Sequence, residues 1–119
     1  TTAIRVPVSS PEARRVENRL AGMDCNPYLG IAASLACGYL GMVEKIEPKD
    51  EFKGDAYDAD EEIPRGVYAA LDEFERATPL RDALSEEFAA VYEIVKKSEY
   101  DDFLQVISPW EREHLLLNV

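Results

Sequence analysis

"NPYLGIAASLACGYLGMV", residues Asn26 to Val43, carries no charge from end to end and opens on an Asn-Pro pair. Asparagine offers a side-chain oxygen to the unpaired N–H groups of a helix's first turn, and proline presets the first helical φ. The pair predicts a helix over Pro27–Val43 with Asn26 as its N-cap. Such a helix is apolar nearly all round yet falls short of a typical membrane span, so it belongs inside a protein body, buried on every side. Gly30, Ser34 and Gly38 recur at intervals of four and let another backbone approach closely. A chain of 119 residues has little mass with which to surround a helix of this kind. The expectation is a larger body than these residues provide.

Immediately upstream stands "ARRVENRL", Ala13–Leu20, with Arg15, Glu17 and Arg19 at every second position. In a strand the period of two puts these three on one face and Val16, Asn18 and Leu20 on the other. Spacing alone fits two readings. One is the solvated outer face of an edge strand whose charges compensate one another. The other is an anion-and-metal site, since arginine forks match carboxylate and phosphate oxygens bidentately and a glutamate between them serves a hard divalent cation. "AIRVPVSS", Ala3–Ser10, alternates in the same way and predicts a first short strand carrying Arg5, ended by Pro7 and the Ser9-Ser10-Pro11 turn.

Downstream, Glu44–Gly66 is acidic, contains proline and sustains no period, which predicts a long surface loop of an interface or regulated kind. "VYAALDEFERA" then sets Val67, Leu71 and Phe74 on one helical stripe, stopped at Thr78-Pro79, where "PLRDAL" begins a short new helix. Ser85 is the expected cap of "EEFAAVYEIVKK", with Phe88, Val91, Tyr92 and Val95 on its inner face and lysines at its C-terminus. Ser98 to Asp101 has the spacing of a capping box and predicts a fresh helix there, and Ser108-Pro109 predicts another that runs to the end of the tail.

The net charge of −11 is uneven, +2 over residues 1–23 and −13 over the remainder. A nucleic-acid partner is set aside, because phosphate contacts need clustered Lys and Arg over a wide surface. Cys25 and Cys37 lack metal-ligand spacing and no secretory signal is apparent, which predicts free thiols in a reducing cytoplasm. His114 is a lone histidine, expected to pack or face solvent rather than bind metal.

Taken in order, "IRVPVSSPEARRVENRLAGMDCNPYLGIAASLACGYLGM" resembles the start of the C-terminal part of the glutamine synthetase family, including its γ-glutamyl-polyamine ligase relatives. The joint pattern is specific: R-(I/V)-E-x-R, a short turn, then N-P-Y-L and a small-residue helix. It covers residues 3–43 well, and the acidic loop with Tyr57 and the helical tail continue it more loosely. The resemblance implies that Arg5 and Arg15 hold ATP phosphates and act in catalysis, that Glu17 is a ligand of a catalytic Mg²⁺ or Mn²⁺, and that Arg19 binds the glutamate substrate. Glu12 stands where the family often has lysine, so no nucleotide contact is carried over there. Tyr57 matches a tyrosine that some bacterial members adenylylate, in a context that reads as a plain loop.

The expected fold is therefore an α+β, mostly helical fragment with two short N-terminal strands, a buried small-residue helix and a C-terminal helical segment. Residues 1–119 are expected to form the C-terminal portion of a glutamine synthetase-like catalytic domain, without its upstream part. The parent implied is a cytoplasmic, ATP-dependent glutamate–ammonia ligase of nitrogen metabolism that assembles as a homo-oligomer of stacked rings, and the fragment alone is expected to be inactive. Two alternatives are a fragment of a γ-glutamyl-polyamine or other amine ligase, and a non-catalytic helical assembly module.

Overall fold

The computed structural model describes residues 2–50, 52–55 and 63–116. Among them the chain runs β1 (Ile4–Arg5), a 3-10 turn (Pro11–Ala13), β2 (Glu17–Asn18), α1 (Pro27–Val43), α2 (Val67–Arg76), α3 (Thr78–Leu84), α4 (Glu86–Leu104) and α5 (Pro109–His114). This is the mostly helical α+β arrangement that the sequence predicts. β1 and β2 pair antiparallel, Ile4 opposite Asn18 and Arg5 opposite Glu17. Both strands are shorter than the alternation suggests. Pro7 has no N–H to give, Pro11 starts a 3-10 turn, and among the described residues no third strand extends the ladder.

α1 begins where Asn26 places it, with Oδ1 accepting from the N–H of Tyr28 at 3.0 Å and of Leu29 at 3.4 Å. It rests along α3. Its outer face is uncovered, with Tyr28, Ile31, Leu35, Tyr39 and Met42 all more than half exposed. Burial on every side is thus not met within these residues. Nor is the close backbone approach, because a Cβ added at Gly38 would meet nothing within 4 Å.

The core lies between α2, α3 and α4, where Leu71 and Ala89 are buried. α4 is turned from the expected phase: Ala89, Tyr92, Glu93 and Lys96 face inward while Val91 and Val95 stay exposed. The cause is Arg81, buried at the α3–α4 corner. Its Nε and Nη2 donate to the two carboxylate oxygens of Glu86 at 2.9 and 2.5 Å, and Nη1 donates to Glu93 at 3.1 Å. Lys97 holds the second Glu93 oxygen at 2.5 Å, and the guanidinium lies over the Phe74 ring at 5.5 Å. A buried guanidinium needs a carboxylate inside, and Glu93, 12% exposed, supplies it while Glu86 reaches Arg81 from the exposed side. Hydrogen bonds from Arg81 to Glu86, and from Lys97 and Arg81 to Glu93, hold both carboxyls below the usual range.

Two predicted caps are not formed. Ser85 makes no side-chain bond to the first turn of α4 and sits at φ 80°. Ser98 lies within α4, which continues unbroken because Tyr68 packs edge-on against Tyr100 at 5.1 Å and donates its hydroxyl proton to Asp101. The Ser108 cap is present as a full box, Ser108 N–H to Glu111 at 2.7 Å and Glu111 N–H to Ser108 Oγ at 3.2 Å. α5 nevertheless ends at His114, which stacks on Trp110 at 4.9 Å, and Leu115 and Leu116 form a turn rather than more helix. Residues 117–119 and Tyr57 lie outside the described residues.

The accessible area is 10407 Å², against about 6,500 Å² for a compact folded chain of this mass. The radius of gyration is 18.3 Å, against about 13.5 Å for a compact chain of this length. These residues expose far more surface than a self-sufficient body of their size.

Candidate functional site

Antiparallel register sets Arg5 directly across from Glu17, so their side chains rise from the same face of the ribbon. Arg5 Nη1 donates to Glu17 Oε2 at 3.4 Å. Arg15, two residues before Glu17 on the same face, reaches Oε1 with Nε at 3.2 Å and Nη2 at 3.0 Å. Two guanidinium groups therefore converge on one carboxylate, and the three charges leave a net +1. Side-chain exposure is 54% for Arg5, 57% for Arg15 and 30% for Glu17, so the glutamate is the sheltered member and the arginines face outward. Exposed ion pairs of this kind contribute about 0–1 kcal/mol to stability. Holding the fold together is a weak reason for them, and the carboxylate gathers two arginine side chains at one place.

Arg19 is exposed and stands outside this three-residue network. Its backbone is fixed, with its N–H donating to the carbonyl of Ala3 at 2.9 Å. Of the four residues singled out in the sequence, the structure thus brings Arg5, Arg15 and Glu17 together and places Arg19 two positions along the same row. Glu12 takes no part. Its carboxyl is engaged by its own backbone N–H and by Ser10, which hold it below the usual carboxylate range.

Asn18, which the sequence marks merely as part of the opposite face, makes the contact between the row and α1. Its Nδ2 donates to Ser34 Oγ at 2.9 Å and its Oδ1 accepts from the Leu20 N–H at 3.0 Å. The sequence carries only a lone amide between Val16 and Leu20, and nothing in it names Ser34 as the partner. Beside it an open, mainly apolar cleft of about 890 Å³ runs between α1 and the α2–α4 core, lined by Leu29, Gly30, Leu71, Phe74, Leu84 and Phe88 among others.

Among the described residues no group of three or more His, Cys, Asp or Glu is placed to hold a metal ion. Glu17 is the acid of the arginine cluster, and its hard oxygens suit one position in the shell of Mg²⁺ or Mn²⁺, not a complete shell. A guanidinium carries five N–H donors, so Arg5 and Arg15 have donors beyond those given to Glu17, of the kind that suits phosphate oxygens. No helix among the described residues is long and apolar enough to cross a membrane.

A ribbon that gathers two arginines around a glutamate, followed by an Asn-capped small-residue helix, is the arrangement that the site presents. The family profile described as "Glutamine synthetase, catalytic domain" matches residues 1–115, and the chain belongs to the glutamine synthetase family. It is 37% identical over 115 residues to a glutamate–isopropylamine ligase from a Pseudomonas species, covering 93% of this chain and 25% of that protein. It is 32% identical over 123 residues to a glutamine synthetase of Methanocaldococcus jannaschii, covering 96% of this chain and 27% of that protein. A gamma-glutamylethanolamide synthetase of Streptomyces coelicolor is 35% identical over 112 residues, with 93% and 24% covered. The chain spans about a quarter of the length of the curated relatives it matches.

Proposed function

We propose that the 119 residues are the C-terminal portion of the catalytic domain of a longer ATP-dependent ligase that joins glutamate to ammonia or an amine. The observation that carries this reading is the convergence of Arg5 and Arg15 on Glu17 across the β1–β2 register. Arg5 and Arg15 hold phosphate oxygens of ATP and offset the charge that accumulates as the terminal phosphoryl group moves. Arg19 binds a carboxylate of glutamate and orients the acceptor, so that the entropy of alignment is settled before reaction. Glu17 gives one ligand to a divalent cation, Mg²⁺ or Mn²⁺, which when bound neutralises phosphate charge; the remaining ligands belong to the upstream part of the protein. Phosphorylation of the glutamate side-chain carboxylate gives an acyl phosphate, and attack by ammonia or an amine releases phosphate and forms the amide.

The reading extends to a cytoplasmic location, in keeping with two free thiols, and to a homo-oligomer. Exposed Phe103, Val106, Ile107, Trp110 and Leu116 around α5 support assembly through the tail, since apolar side chains gathered at one end favour a covering partner. One relative named for isopropylamine as co-substrate, one for an ethanolamide product and one named glutamine synthetase keep both nucleophiles in the reading.

The test is ADP release by the full-length protein, given ATP, Mg²⁺ and glutamate with ammonia, isopropylamine, ethanolamine or a polyamine in turn. The expected result is ADP and amide in equal amounts with at least one nucleophile, the best of which names the acceptor. Absence of amide with every nucleophile would overturn the ligase and leave the non-catalytic assembly module.

A further inference from the structure

Each strand of the ribbon that carries the site is two residues long, so ladder hydrogen bonds alone hold the row weakly in place. The side chain of Asn18 supplies what the ladder lacks. Its Oδ1 accepts from Leu20 N–H at 3.0 Å, which fixes the backbone on the C-terminal side of Arg19, while the Arg19 N–H is fixed on the Ala3 carbonyl at 2.9 Å. Its Nδ2 donates to Ser34 Oγ at 2.9 Å, and Ser34 donates its own proton to the Gly30 carbonyl at 2.8 Å. A hydroxyl has one proton. With that proton committed to Gly30, Ser34 can only accept, and the residue facing it must donate. An amide at position 18 meets both demands, an acceptor toward Leu20 and a donor toward Ser34, and an ionised carboxylate there would meet one.

From this geometry we infer that Asn18 and Ser34 are positioning residues, whose hydrogen bond ties the Glu17–Arg19 row to α1 and fixes the direction in which the carboxylate and the guanidinium point. The inference rests on the reading of Glu17 as a metal ligand and Arg19 as the glutamate contact. α1 is the longest rigid element in contact with the ribbon, and Asn18 is the residue between the two functional side chains, so a tilt at position 18 moves both. Groups hydrogen-bonded directly to metal ligands cost about ten- to hundredfold in metal affinity or activity when lost, and Asn18, acting through the backbone, is expected at the lower end of that range.

The experiment uses the full-length ligase with Asn18→Leu, Ser34→Ala, the double variant, Ser34→Thr and Glu17→Gln. Three quantities are read: the dissociation constant of Mn²⁺ alone, the split between kcat and KM for glutamate, and the melting temperature. The expected result is that Asn18→Leu and Ser34→Ala each weaken Mn²⁺ and raise the glutamate KM about tenfold. The double variant should be no worse than either single change, Ser34→Thr should restore both constants, and the melting temperature should be nearly unmoved. Unchanged Mn²⁺ affinity and glutamate KM, additive losses in the double variant, or losses that follow a fall in melting temperature and are not restored by threonine would each overturn the inference. If Glu17→Gln abolishes Mn²⁺ binding while Asn18→Leu leaves it intact, the positioning role alone fails. If Glu17→Gln leaves Mn²⁺ binding intact, the metal assignment fails and the inference goes with it.

Discussion

Arg5, Arg15, Glu17 and Arg19 differ in what they can exchange for a ligand. Glu17 is sheltered and shared by two arginines, and in the proposed function its charge serves a hard cation as well as the forks. Glutamine at position 17 keeps the shape and removes that charge. In the full-length ligase Glu17→Gln is expected to lower kcat/KM by more than about a hundredfold, since a ligand outweighs its outer partners. Glu12→Gln, at a carboxyl turned into its own 3-10 turn, should change kcat/KM little. Steady-state kinetics on both variants check this, and equal losses would contradict the division of roles. Lysine in place of arginine keeps the charge and loses the planar fork. Arg19→Lys should therefore raise the KM for glutamate and Arg5→Lys that for ATP, each by a cost of about 1.5–3 kcal/mol, or roughly ten- to hundredfold. Both constants rising alike in both variants would contradict it.

At the scale of elements, the α3–α4 corner stores strain that the Arg81 network sustains. Ser85 sits at φ 80° and ψ 122°, a conformation costly for any residue with a Cβ, and its hydroxyl makes no capping bond to repay the cost. Ser85→Gly is expected to stabilise the full-length protein by about 1 kcal/mol, read as a higher melting temperature, and a lower one would contradict the account. The same corner shows where sequence reading stops. Asn26-Pro27 and Ser108-Pro109 were legible because a cap is a local matter of one side chain and the next three N–H groups. Ser85 and Ser98 carry the same local signal, but a buried arginine decides the first and a Tyr68–Tyr100 contact across helices overrides the second. The inner face of α4 was misread in part for the same reason, since Val91 and Val95 follow apolar periodicity while Arg81 demands Glu93 inside. For the site, the period of two put Arg15 and Glu17 on one face, and the resemblance brought in Arg5. The Asn18–Ser34 bond was not legible, because it depends on where a distant helix lies.

At the scale of the whole molecule, an accessible area of 10407 Å² and an outward-facing α1 are two forms of one fact. Each records surface that these residues do not cover among themselves. Relatives about four times as long suggest the proposed remedy, in which a further part of the protein covers α1 and brings the remaining ligands. Burying the outward Ile31, Leu35 and Met42 side chains would contribute about 1.5–3 kcal/mol each, enough to dock the segment firmly. The central claim is that the Arg5–Glu17–Arg15 cluster is part of an ATP and metal site and not the whole of one. Calorimetric titration of MgATP into the 119-residue chain and the full-length ligase, side by side, tests it most directly. The account predicts a saturable isotherm for the full-length protein and none in the micromolar range for the chain alone. A micromolar dissociation constant for the chain, on the order of −8 kcal/mol, would contradict it.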